Sequence, residues 1–150
     1  MIDYLLKTLA TYKVFERNVH VLHWMARGPI NGDFHIRMKD AYEYAQTVED
    51  DTAERIMQLG GEIPLKMCDI MAQSSMEFLG SISDMESSIK SALDVTQKII
   101  ELDRAGVEKA IECKDFHTED LFRERLARHE IFYRKLSAVF HKVLPPISTT

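Results

Sequence analysis

The sequence predicts an all-α protein, an antiparallel four-helix bundle, from three observations. Four stretches of roughly 25 residues carry apolar side chains at alternating spacings of three and four, with almost no strand-like alternation. Glycine and proline occur mainly between these stretches. Four long helices of similar length are typical of a bundle.

The first predicted helix runs from about Ile2 to Arg27. Its apolar stripe consists of Ile2, Leu5, Leu9, Tyr12, Val19, His23 and Ala26, with Glu16 filling one turn. The same helix carries further apolar residues outside the stripe, namely Leu6, Val14, Phe15, Val21, Leu22, Trp24 and Met25. Because a lone bundle needs about one apolar stripe per helix, this surplus predicts a second buried face in an oligomer.

The second helix is predicted from about Asp33 to Leu59 and ends at Gly60-Gly61. Its inward stripe is Phe34, Met38, Ala41, Ala45, Val48 and Thr52. The connection that follows, from Glu62 to Gly80, is too long for a simple turn, and Leu65–Met71 is apolar enough for a short extra helix. If the second and third long helices run parallel, this stretch is the long crossover between them.

The third long helix is predicted from about Ser81 to Ala105, with Ser81 or Ser83 as its cap and Gly106 as a break. Its stripe is Ile82, Met85, Ile89, Leu93, Thr96 and Ile99. The fourth is predicted from about Thr118 to Val143, with the stripe Phe122, Leu126, His129, Tyr133, Leu136, Phe140 and Val143.

Composition is that of one soluble globular domain over residues 1–150, with 45% apolar and 29% charged residues. The net charge is −5 and no basic cluster lies near either terminus, so DNA binding through a basic arm is not expected. Cys68 and Cys113 lack CxxC spacing and are expected to be free thiols in a reducing cytoplasm. No apolar run approaches the roughly 20 residues of a membrane span.

Two histidines and two carboxylates form the candidate metal-ligand set: His23, His35, Asp50 and Glu54. Helix rise is about 1.5 Å per residue, so His35 and Asp50 lie roughly 22 Å apart on one continuous helix. One ion cannot touch both ends of that helix. If these residues share a site, the carboxylates come from a second copy of the chain across a two-fold axis.

The order of these residues resembles the Dps family of miniferritins, in the ferritin-like superfamily. The motif consists of His23-Trp24, Gly28, Phe34-His35, Asp50-Asp51-Thr52-Ala53-Glu54-Arg55 and Gly60-Gly61. The fourth helix is similar to the family's last helix through Asp115, Thr118, Asp120 and Leu121-Phe122. The resemblance covers nearly the whole chain and implies a ferritin-like bundle.

The resemblance also implies a chemistry. His23 and His35 of one subunit and Asp50 and Glu54 of its mate would form an inter-subunit ferroxidase centre. Members of the family assemble as hollow dodecamers, oxidise Fe(II) preferentially with hydrogen peroxide, store ferric mineral and so protect against oxidative stress. Mixed histidine and carboxylate ligation suits iron and also zinc.

One position departs from the family pattern. Family members carry an acidic ligand four residues after the second histidine, and here that residue is Lys39, whose ammonium cannot ligate a cation. Asp40 is next to it but about 100° around the helix. The alternative hypothesis is therefore a Dps-like cage whose ferroxidase centre is lost or altered, acting as a structural or metal-sequestering protein. His20, one turn before His23, is a candidate replacement ligand.

An acidic cluster lies at the start of the fourth helix, formed by Asp115, Glu119, Asp120 and Glu124. It has two interpretations: carboxylates that complement the helix dipole, or, as the resemblance implies, an acidic three-fold pore that attracts Fe(II) through Asp115, Asp120 and Glu124.

His117, His129 and His141 are assigned no function, and Trp24 is interpreted as a packing residue. No histidine is preceded at three residues by glutamate, so a metal site inside a single bundle is not expected.

Overall fold

The computed structural model describes residues 1–140 and contains, within that range, five helices and no strand. These are α1 (Ile2–Met25), α2 (Asn31–Gln58), α3 (Met67–Met71), α4 (Met85–Glu112) and α5 (Phe116–Phe140). The predicted all-α fold is confirmed, and α3 is the short extra helix of the connection. The predicted continuation of the fourth helix to Val143, with His141, lies outside the described residues, as does the side chain of Phe140. Over residues 1–140, none of the helices combines the length and the apolar character that crossing a membrane requires.

The two ends of the bundle show how the helices run. Near one end, a Cβ added at Gly28, between α1 and α2, would lie 3.6 Å from Cβ of Met85, the first residue of α4. Near the other end, Arg55 of α2 hydrogen-bonds Asp115 and Thr118, where α5 begins. Helices α2 and α4 therefore run parallel, and the connection from Leu59 to Asp84 is the predicted long crossover.

The predicted stripes form the core. All six stripe residues of α2 are buried, as are Leu5, Leu9, Tyr12 and Val19 of α1. Tyr12, Phe15, Phe34 and Phe122 are among the largest fully buried side chains. Burial of such side chains contributes about 1.5–3 kcal/mol each, which outweighs the weak intrinsic preferences of single residues for helix.

The surplus apolar residues of α1 differ in burial, and Leu6 and Val21 are half-buried. Val14, Phe15 and Leu22 are buried by the chain's own core, so their assignment to an oligomer face was wrong. The reason is that α1 packs against α2, α3 and α4 and also contacts α5, where Tyr4 meets Phe122, and so buries more than one stripe. Trp24 and Met25 are more than half exposed in the single chain, and they stay candidates for an interface.

The end of α2 is formed by the predicted glycines. Gly60 has φ of +78°, in the left-handed region, its N–H donates to the Met57 carbonyl at 3.0 Å, and the Gly61 N–H donates to the Ile56 carbonyl at 2.9 Å. This pair of bonds is a Schellman motif, which satisfies carbonyls left free at a helix end.

The bounds of α4 differ from the prediction at both ends. Its cap is Asp84, not Ser81 or Ser83. The Asp84 carboxylate accepts a hydrogen bond from the Ser87 N–H at 2.7 Å, and the Ser87 hydroxyl accepts one from the Asp84 N–H, which completes a capping box. Gly106 is not a break but a buried residue within the helix. A Cβ there would lie 2.6 Å from the Phe122 ring, so the glycine serves the close packing of α4 on α5.

We expect Gly106→Ala to lower the stability of the fold by about 1–2 kcal/mol, because the added methyl overpacks a fully buried ring. This loss should appear although alanine favours helix over glycine by about 1 kcal/mol. The measurement is the midpoint of thermal unfolding. The matched control is Gly32→Ala in α2, where no atom lies within 4 Å of the new Cβ. Equal midpoints for the two variants would contradict the packing argument.

Candidate metal centre

His23 and His35 form the centre of the candidate site. His23 lies in the last turn of α1 and His35 in the second turn of α2, and the short connection between the helices brings them together. Their rings stack with centroids 3.5 Å apart and planes 22° apart. The structure therefore brings together two predicted ligands that are twelve residues apart in the sequence.

Each ring is held by the backbone of the other residue. His23 Nδ1 lies 2.8 Å from the His35 carbonyl oxygen, and His35 Nδ1 lies 2.8 Å from the His23 carbonyl oxygen. A carbonyl only accepts, so both Nδ1 atoms carry the proton. In the neutral rings, both Nε2 atoms then carry lone pairs, which is how histidines are oriented when they bind metals.

Aromatic side chains surround this pair. His20 lies between Trp24 and Tyr42, with ring centroids 3.9 Å and 4.0 Å away, and its Nδ1 lies 3.1 Å from Glu16 Oε1. The His20 ring is 6.1 Å from that of His23. Trp24 packs on His20 within the chain but stays more than half exposed.

The carboxylates of the predicted set lie elsewhere on α2. Because α2 is one continuous helix, Asp50 is roughly 22 Å from His35 along the axis, and Glu54 is farther. Both carboxylates are exposed. Among residues 1–140, no group of three or more histidine, cysteine, aspartate or glutamate side chains is placed to hold a metal ion. A single chain thus brings together His23 and His35 but not Asp50 and Glu54.

Lys39 and Asp40 point to different neighbours. The Lys39 ammonium lies 3.6 Å from Glu43, one turn farther along α2, on the side away from His35. Asp40 lines a cavity with residues of α5, so it is not next to the histidine pair. Asp40 is therefore not a replacement for the missing acidic ligand within the chain.

The acidic cluster of α5 separates in the structure. The Asp115 carboxylate accepts from the Arg55 guanidinium at 2.7 Å, from the Thr118 hydroxyl at 2.7 Å and from the Thr118 N–H at 3.1 Å. Its oxygens thus join the end of α2 to the start of α5. Asp120 and Glu124 are exposed and lie one turn apart on α5.

One polar cluster was missed by the sequence analysis. Asp103 is fully buried, and its Oδ2 accepts from the Tyr12 hydroxyl at 2.6 Å and lies 3.2 Å from His129 Nδ1. Burial, and next the Asp103 charge, raise the pKa of the Tyr12 hydroxyl well above its ordinary value, so it remains a donor. The available signal was a charged Asp103 one turn after the stripe residue Ile99.

Comparisons with known proteins place the chain. The sequence profile of the family described as Ferritin-like domain matches residues 2–143. The DNA protection during starvation protein 2 of Bacillus anthracis is 28% identical over 122 residues, covering 81% of this chain and 83% of the relative.

Two solved structures share the fold. Dps from Thermosynechococcus elongatus has a TM-score of 0.86 and 22% identity, over 93% of this chain and 88% of that one. Zinc-soaked Dps from Listeria innocua has a TM-score of 0.87 and 21% identity, over 93% of this chain and 95% of that one.

We expect Asp115→Asn to destabilise the protein at neutral pH by about 1–2 kcal/mol, since it weakens a helix cap and removes an ion pair. Burial raises the pKa of Asp115, but the bonds from Thr118 and Arg55 together lower it below its ordinary value. This stabilisation is therefore present above about pH 4 and is lost as pH falls through the lowered pKa.

Unfolding free energies measured from pH 7 down to pH 3 test this linkage. The gap between the wild type and the variant should narrow below about pH 4. A gap that is constant over the whole range would show that the Asp115 charge does not stabilise the fold.

Proposed function

The chain belongs to the ferritin-like family, in its Dps branch, and we propose that it is a miniferritin that binds and oxidises Fe(II) with hydrogen peroxide. In this proposal, ferric mineral is stored in a hollow cage and the cell is protected against oxidative stress. One observation carries it: the stacked His23–His35 pair, whose protonated Nδ1 atoms leave both Nε2 atoms free to bind iron. The Bacillus anthracis relative, named for DNA protection during starvation, supports a protective role.

The proposed centre lies between two copies of the chain. Because α2 keeps Asp50 roughly 22 Å from His35, the carboxylates would come from the partner, which would run antiparallel across a two-fold axis. The Trp24 side chain, which packs on His20 and is more than half exposed, would be covered by such a partner. The family resemblance extends this pair to a dodecamer.

The chemistry follows from the ligand types. Neutral imidazoles and anionic carboxylates together bind Fe(II) and stabilise the more highly charged Fe(III) product. Two Fe(II) ions supply the two electrons that reduce one hydrogen peroxide, with two protons, to two water molecules. Because both electrons are consumed in a pair, no hydroxyl radical is released.

The position of Lys39 favours a working centre over the alternative of a lost one. Its ammonium lies 3.6 Å from Glu43, one turn farther along α2 in the direction away from His35, so the charge is directed away from the histidines. The proposal therefore keeps four ligands, His23, His35, Asp50 and Glu54, and needs no fifth.

Iron would approach through an acidic entrance. Asp120 and Glu124 are exposed one turn apart on α5 and are available to attract cations at a three-fold axis. Asp115 contributes less to the attraction of iron than the sequence suggested, since Arg55 and Thr118 already bind its carboxylate.

We expect the purified assembly to bind Fe(II) saturably under anaerobic conditions and to form ferric iron rapidly when one hydrogen peroxide is added per two irons. The double variant His23→Ala/His35→Ala should lose this fast phase, with a rate lowered at least tenfold. The measurement is stopped-flow ferric absorbance. The matched control is His117→Ala, which removes an exposed histidine of α5 outside the proposed centre. Equal rates in the wild type and the double variant would contradict the proposal.

Lys39→Asp separates the two hypotheses. If the centre works with lysine, the wild type oxidises iron, and the variant changes the rate only modestly. An inactive wild type together with an active Lys39→Asp variant would instead favour the cage with an altered centre.

A further inference from the structure

Glu49 of α2 carries a buried carboxylate oxygen that the single chain leaves unbonded. Its Oε2 accepts a hydrogen bond from the Lys13 ammonium at 2.7 Å, and its side chain is 14% exposed. Its Oε1 is buried and has no hydrogen-bond partner among residues 1–140. A buried carboxylate oxygen without a donor costs free energy, so a further cation beside Glu49 would stabilise it.

The other charged residues beside Glu49 do not supply this cation. The Arg17 guanidinium lies over the Trp24 ring, 5.3 Å from its centroid. Burial raises the pKa of the Glu49 carboxyl, Lys13 lowers it by its bond and its charge, and the charge of Glu16 raises it again. The resulting pKa lies above its ordinary value, so Lys13 alone does not compensate for burial and for the neighbouring carboxylate.

A surface pocket beside Glu49 has room for a side chain from outside the chain. It measures about 320 Å³ and is lined by Glu49 and Lys13 and by apolar side chains of the crossover, Met67, Met71 and Phe78. Met67 and Phe78 are more than half exposed. Such a lining suits a lysine, whose methylenes pack on apolar groups while its ammonium binds a carboxylate.

The register of the proposed metal centre identifies which side chain of a second copy faces this pocket, so the inference rests on the proposed function. In an antiparallel pair of identical helices across a two-fold axis, the numbers of facing residues add to a constant. Pairing His35 with the partner's Asp50 and the partner's Glu54 sets this constant at about 85–89. Lys39 then faces residues 46–50 of the partner.

Lys39 lies on the face of α2 that such a partner covers. At about 100° per residue, Lys39 is about 40° around the helix from His35, and Asp50 is about 60° around it in the same direction. The Lys39 side chain is 53% exposed, and its ammonium lies 3.6 Å from Glu43, which is longer than a hydrogen bond. An exposed contact of this length holds the ammonium weakly, so Lys39 is available to a partner.

We propose that Lys39 of each copy enters this pocket of its partner and binds the partner's Glu49 across the two-fold axis. The occupant of the pocket is thus a second copy of the same chain, and symmetry gives two such ion pairs in each dimer. Lys39 supplies the cation that the buried carboxylate lacks within its own chain. The residue that departs from the family's ligand pattern therefore serves self-recognition.

A zero-length carbodiimide cross-link tests the contact directly, since it joins an amine to a carboxylate only when the two groups touch. Iron-free assemblies refolded from mixed isotope-labelled and unlabelled chains are cross-linked, digested and analysed by mass spectrometry. We expect mixed-isotope products that join Lys39 to Glu49, and their loss in Glu49→Gln. The link from Lys39 to Glu43, which lies within one chain, is the control for reactivity. Mixed-isotope links from Lys39 to Asp50 alone, or none from Lys39, would overturn the proposal.

Dissociation of the iron-free dimer tests the energetics. Lys39→Gln is expected to raise the dissociation constant at least tenfold, because each partner then keeps a buried carboxylate without its cation. The measurement is sedimentation velocity over a dilution series. The matched control is Lys98→Gln, an equally exposed lysine of α4 that also pairs with a carboxylate one turn away. Equal dissociation constants for the two variants would overturn the proposal.

Iron-free measurements keep this inference separate from the proposed function. A dimer that oxidises iron through His23 and His35 but does not depend on Lys39 would contradict the inference alone. A chain that stays monomeric would contradict both.

Discussion

The rigidity of α2 is the constraint on which the candidate site depends. A continuous helix of 28 residues is about 42 Å long, with His35 near one end and Asp50 and Glu54 near the other. No loop movement or side-chain rotation within the chain brings these groups together. If His35, Asp50 and Glu54 share one metal site, as we propose, a second copy of the chain must complete it. The same helix joins the two ends of the bundle, through His23 at one end and Asp115 at the other.

The sequence predicted the fold well where periodicity carried the signal. The stripe of α2 and, apart from Ile82, that of α4 predicted which side chains are buried, and Gly60-Gly61 predicted a helix end, because these patterns depend on local geometry alone. The prediction that Gly106 breaks the helix was wrong, because a glycine in a sequence can either end a helix or leave room for a neighbouring ring. Only the position of Phe122, sixteen residues later, distinguishes them. The pairing of His23 with His35 was predicted from a motif, while the bonds that fix their tautomers needed coordinates.

The pair Asp103 and His129 shows a second limit. They are 26 residues apart, and each occupies a stripe position that an apolar residue could fill. Periodicity identifies such positions as buried but does not say which polar residues meet there. A buried carboxylate costs several kcal/mol unless it is bonded, so a charged residue in a stripe requires a partner on another helix. Here Tyr12 and His129 are those partners.

This polar cluster also bears on where iron chemistry can occur. In di-iron bundles, a glutamate and a Glu-x-x-His pair on the inner helix faces supply anionic ligands around metals at the bundle centre. This chain has no such pair. Its centre holds instead one carboxylate, Asp103, and one guanidinium, Arg125, which is 2% exposed and whose Nη atoms have no hydrogen-bond partner within the described residues. The charges of Asp103 and Arg125 both act on Tyr12, and a buried cation in this part of the core opposes a di-metal site there. The interior therefore stabilises the bundle, while the candidate metal ligands His23 and His35 lie at the junction of α1 and α2.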